Sequence, residues 1–167
     1  MRQLPSSVYV EIMKSAIFRI VPLPTEVADK ARSAAGAGQM DHATITADNR
    51  NSAPCRHCLR WANVGERVIL FPYASIPVGH PYAESGPIFI HAESCARYPA
   101  TTQYPDAFRK GRVFRGYNSR FDMIDAVIPD TASPEEVITG LFANSEIAFI
   151  HVRSLDRGCY TMEVARA

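Results

Sequence analysis

Apolar positions in this chain fall in short runs, most of them of strand length. Ala16-Ile17-Phe18-Arg19-Ile20-Val21 is closed by Pro22 and Pro24 and predicts a buried first strand. Thr25 stands where a helix N-cap belongs. Glu26 and Asp29 suit the positive end of the helix dipole, and alanine-rich sequence carries the helix to a stop near Gly36. Residues 36–43 read as loop, and Thr44-Ile45-Thr46-Ala47 as a short strand. Pro54 to Trp61 predicts a turn or short helix, cut off by Gly65, and Arg67 to Phe71 a strand. Pro72, Pro77, Gly79, Pro81, Gly86 and Pro87 then argue against helix and against a central strand, so a long loop of the functional kind is expected over 72–87. Ile88-Phe89-Ile90-His91 is a strand, residues 92–98 are expected to coil once before Pro99, and 112–118 and 123–129 are two more strands.

Ser133-Pro134-Glu135-Glu136 is the clearest helix start. Ser caps, Pro fits the first position, and the second glutamate can reach back to complete a capping box. Val137, Ile138, Leu141 and Phe142 form the apolar stripe that follows. Residues 147–153 and 159–165 predict a hairpin around Ser154 to Gly158. Regular alternation puts Ala148, Ile150, Val152, Tyr160, Met162 and Val164 on its core face. Phe149, His151, Arg153, Cys159, Thr161 and Glu163 then lie on a face expected to meet solvent. The pattern predicts an α+β fold: a mainly antiparallel, mixed sheet with two principal helices on one face. A single domain is expected over residues 13–167, with residues 1–12 an N-terminal extension or edge segment ahead of Met13.

Composition narrows the function classes. The 167 residues are 47% hydrophobic and 21% charged, which argues against a disordered chain. The formal net charge of +1 gives no general pull toward polyanions, so nucleic acid is not an expected partner. No apolar run approaches the roughly 18 residues of a membrane helix. The first residues carry no apolar stretch of export-signal type, so the expected compartment is the cytoplasm. Four cysteines there favour free thiols or metal ligands over disulfides.

Cys55-x2-Cys58 has the spacing by which two thiolates meet one ion, and His91-x3-Cys95 supplies two more donors after a 32-residue gap. Zinc takes four such ligands, and zinc is the cofactor these residues suggest. The same pair, flanked by Arg56 and Arg60, also fits a reactive thiol, while simple burial beside Trp61 needs no chemistry. The 72–87 loop offers Tyr73, His80, Tyr82 and Glu84 leading into His91. These groups could do acid–base work, and Cys55, Cys58, His80, Tyr82, Glu84 and His91 are the catalytic candidates. If the polar hairpin face meets this loop, Arg115, His151 and Arg153 would surround an anionic ligand. Arg109, Lys110, Arg112, Arg115 and Arg120, interleaved with aromatics, read as a solvated strand pair sooner than a single-strand binder.

Pro54-Cys55-Arg56-His57-Cys58-Leu59, the run Pro81 to Ala92, Cys95, and Ile150-His151-Val152-Arg153 followed by Gly158-Cys159 together resemble the bacterial domain of unknown function 1203 family. The resemblance covers roughly residues 14–166, implies one soluble domain, and carries no activity over to this chain. Walker, dinucleotide-binding, nucleophile-elbow and zincin motifs are absent. Two functions remain in view: a metal-binding or thiol-dependent protein built on the Cys/His site, and a non-catalytic module binding a small anion or a protein partner.

Overall fold

A computed structural model describes residues 18–167 of the chain. The expected N-terminal extension, residues 1–12, and the start of the first expected strand lie outside the described residues. Eight strands and two α-helices follow in the order β1 (Phe18–Val21), α1 (Thr25–Gly36), β2 (Ala43–Thr46), β3 (Arg67–Ala74), β4 (Ser85–His91), β5 (Arg112–Tyr117), β6 (Met123–Val127), α2 (Pro134–Phe142), β7 (Phe149–Ser154) and β8 (Tyr160–Arg166). The fold class is α+β, as the pattern predicts.

The strands form two sheets instead of one mixed sheet. A five-stranded sheet runs β1-β8-β7-β5-β6, and a three-stranded sheet runs β2-β3-β4. Every paired strand in both is antiparallel. The parallel element of the expectation reduces to one isolated bridge, Cys55 with Phe89. The helices also divide. α2 lays Val137, Ile138, Leu141 and Phe142 onto the core of the larger sheet, with Phe114, Ile150, Val152, Met162 and Val164. α1 offers only the small buried Ala28 and Ala31 to Leu23, Ile69, Phe71, Ile88 and Ile90 of a second core.

Three local expectations are corrected. Thr25 does not cap α1: the cap is Pro24, with no side-chain bond, and Thr25 Oγ1 instead lies 3.0 Å from His57 Nε2. The proline-rich stretch is partly strand. Pro72 and Pro87 face each other in the β3–β4 register, and β2 reaches only to Leu70, so neither missing N–H disturbs a ladder on its other side. The true connector is Ser75 to Glu84. Residues 92–98 bend without forming a helical turn.

The C-terminal hairpin departs from simple alternation. Its register shifts between Val152 and Arg153, bringing Tyr160 opposite Arg153. That extra residue turns Tyr160 to the other face, where it joins the second core. The face expected to meet solvent is covered: His151 and Arg153 are only 1% and 4% exposed. Tyr73 of β3 packs on Tyr160 at 5.3 Å, so the end of the small sheet lies over this face of the large one.

Candidate metal centre

Cys55 opens a tight turn at the seam between the sheets. Cys55 N–H donates to Arg60 O, Leu59 N–H to Cys55 O, and Arg56 N–H to Phe89 O on β4. Leu59 takes φ 54°, a left-handed conformation that costs a non-glycine residue about 1–2 kcal/mol. Its buried side chain belongs to the main core, which explains leucine here in place of glycine. The turn swings Cys58 back beside Cys55. His91 ends β4, and Cys95 follows four residues later on the bending segment.

The four donors converge. One ligand atom from each of Cys55, Cys58, His91 and Cys95 lies within 4.8 Å of all the others. Cys55 and Cys95 sulfurs are 3.9 Å apart, and Cys58 Sγ is 3.4 Å from His91 Nδ1. Tetrahedral zinc, with bonds of about 2.3 Å to sulfur and 2.0–2.1 Å to nitrogen, sets neighbouring ligand atoms about 3.5–3.8 Å apart. The spacing matches an ion-sized centre, and all four cysteines of the chain are free of disulfides.

Surrounding groups orient and balance this cluster. Glu66 Oε2 lies 3.3 Å from His91 Nε2, in poor alignment, on the ring edge away from Cys58. Arg60, then the Asn63 backbone N–H, hold the Glu66 carboxyl down at about 2. Arg32 Nη2 approaches Cys95 Sγ at 3.7 Å, and its Nε donates to His91 O. His57 Nδ1 is 3.3 Å from Cys95 Sγ. Within the cluster, hydrogen bonds from Cys58 and Cys95 push the Cys55 thiol far below its ordinary value, while Cys58 is pushed far above its own. Hydrogen bonding to Cys55 and then Cys95 lifts His91 to about 9. Zinc takes thiolates and a neutral imidazole, so binding an ion at this cluster releases protons. Arg56, buried, donates to the carbonyls of Tyr160 and Pro54, and burial lowers it to about 10.

The other predicted site residues lie elsewhere. Glu84 directly precedes β4 and His91 ends it, roughly 23 Å of extended chain apart at about 3.3 Å per residue. The catalytic grouping of His80, Tyr82 and Glu84 with the cysteines is therefore not assembled. Glu84 meets Arg153 and Arg115. His80 and Tyr82 stack on each other at 6.0 Å, near Phe121 and Asp122. His151 is packed among Tyr117, Phe149 and Tyr160, and burial lowers its pKa. The basic run is also less solvated than expected. Arg109 pairs with Glu135 and Asp106, and Arg112 is buried over the Phe108 ring. Sequence reasoning missed Arg32, His57 and Glu66 as neighbours of the cluster. Only His57, lying inside Cys55-x2-Cys58, carries a signal in the sequence.

The family model described as "Protein of unknown function (DUF1203)" matches residues 52–166, and the chain belongs to that family. The match holds all four clustered residues and begins well after residue 14, where the resemblance was expected to start. No curated protein and no solved structure matches the chain significantly. Among the described residues, no helix is long and apolar enough to cross a membrane.

Proposed function

We propose that this member of the DUF1203 family is a zinc-binding protein whose Cys55, Cys58, His91 and Cys95 hold one ion in a closed, structural centre. The convergence of those four soft donors within 4.8 Å carries the reading. Three thiolates and a histidine give bound zinc a net charge of −1. Arg32 beside Cys95 and the buried Arg56 next to Cys55 in the chain supply positive charge for it. All four tetrahedral positions belong to the protein, so no place is left for a water or a substrate on the ion. The centre's task is to tie the 55–58 turn, the end of β4 and the segment to Cys95 into one unit at the seam between the sheets.

Native mass spectrometry of the full chain after zinc reconstitution tests this. One zinc per chain is expected, with three of the four thiols protected from alkylation until a strong chelator is added. Cys58→Ser should lose the ion, with circular dichroism reporting whether that variant stays folded. A folded wild-type chain with four reactive thiols and no retained zinc would overturn the reading.

A further inference from the structure

A second cleft lies at the other end of β4, where the small sheet crosses the covered face of the large one. It has a volume of about 230 Å³. Its charged lining consists of Arg115, Arg153, Arg157 and Glu84, a net charge of +2 from three cations and one anion. Tyr73 and Tyr160 supply a carbon wall. Arg153, on the central strand β7, is almost wholly buried. It donates to Gly158 O and to Ser75 Oγ, and its Nε has no partner. Its counter-ion is Glu84, which also accepts from Arg115 at 3.4 Å.

Glu84 is an unusual partner for a buried guanidinium. Its own side chain is 47% exposed, and it is the last residue of the connector, directly before β4. A half-solvated carboxylate contributes little net stability to such a pair. Arg153, by contrast, is costly to leave without an anion once out of water. The cleft therefore demands one negative group and holds an exchangeable one. Arg115, 27% exposed and paired with the same Glu84, and Arg157, 78% exposed and 3.9 Å from the solvent-facing Asp156, stand at the rim where they can extend the grip on a larger anion.

We infer that this cleft binds a small ligand through a carboxylate or phosphate group, and that Glu84 occupies the anion position when the ligand is absent. The inference stands apart from the zinc centre. A tethered carboxylate competes at an effective concentration in the millimolar range, so a single-charged ligand binds weakly unless it engages several arginines at once. Guanidinium groups favour such multi-point contacts with planar carboxylates and with phosphates.

Calorimetric titration of the full chain with inorganic phosphate and with succinate, at low ionic strength, tests the inference. Glu84→Gln removes the competitor and should bind at least about tenfold tighter than wild type. The double variant Arg115→Ala/Arg157→Ala removes one half-buried and one exposed guanidinium and should bind at least about tenfold more weakly, with circular dichroism confirming that it stays folded. Amide NMR shifts should centre on Ser75, Gly86 and Gly158. Phosphate binding without succinate binding would identify a phosphate site, and the reverse a carboxylate site. Absence of binding in both wild type and Glu84→Gln would overturn the inference, leaving Glu84 a structural partner of Arg153. Binding unchanged by either variant would also overturn it, by placing the anion elsewhere.

Discussion

Glu66→Gln probes how the protein orients a metal-binding histidine. Glu66 Oε2 lies 3.3 Å from His91 Nε2, and the same carboxylate accepts from Arg60 through both its oxygens. A protonated His91 at that distance would be attracted by about 5 kcal/mol at an effective dielectric of about 20, whereas a zinc-bound His91 is neutral apart from charge shared with the ion and keeps a smaller part of it. Glu66 is 34% exposed and shared with Arg60, so water and the arginine screen most of that. Carboxylate partners of metal-bound histidines are worth about 10–100-fold in metal affinity, or about 1.4–2.7 kcal/mol. Glutamine keeps an oxygen for the Asn63 N–H, which now donates to Glu66 at 2.7 Å, and loses only the charge. Glu66→Gln should therefore fall near the tenfold end, and Glu66→Ala, which also frees the turn, near the 100-fold end. Competition against a chromophoric zinc chelator at constant pH gives the dissociation constants. If both variants stay within about twofold of wild type, the carboxylate does not support His91, and the argument that His91 is a ligand oriented by its surroundings fails.

Three other perturbations follow from the same structure. In chelator-stripped protein the oxidant diamide should join Cys55 to Cys95, whose sulfurs are 3.9 Å apart, with a mass loss of about 2 Da; bound zinc should block it, and four free thiols under both conditions would contradict the shared centre. Gly116→Ala on β5 sets a Cβ 2.6 Å from Ile147 Cδ1 and within 3.2 Å of two more of its carbons, so overpacking should cost about 1–3 kcal/mol by urea denaturation, part of it recovered with Ile147→Val. The backbone N–H and hydroxyl of Ser133 hold the Glu136 carboxyl below its ordinary value of 4.5, so its stabilising effect is present above that pH and is lost as the pH falls. The stability gap between wild type and Glu136→Gln should therefore shrink from about pH 6 to about pH 3; a constant gap would contradict the capping geometry.

Local chemistry was readable where all its parts are adjacent in sequence. The Ser133 to Glu136 capping box needs only four neighbouring residues and forms as written. The four cysteine and histidine donors were readable by residue type and spacing. Their meeting depends on the pairing of Cys55 with Phe89, which no local pattern encodes. Four features were hidden for specific physical reasons. One extra residue in the β7–β8 pair moved Tyr160 across the sheet. Facing prolines on strands paired on one side let β3 and β4 extend into the expected loop. The length of β4 then separated Glu84 from His91, turning one imagined cleft into two distinct places. Arg32 reaches Cys95 from a helix 63 positions earlier in the chain, and only the packing of α1 on β3 brings it there.

X-ray absorption at the zinc edge of the reconstituted full chain addresses the central claim most directly. The account predicts a first shell of three sulfurs at about 2.3 Å and one nitrogen at about 2.0–2.1 Å, with one sulfur lost in Cys95→Ser. A shell of oxygen and nitrogen alone, or one unaltered by Cys95→Ser, would contradict it.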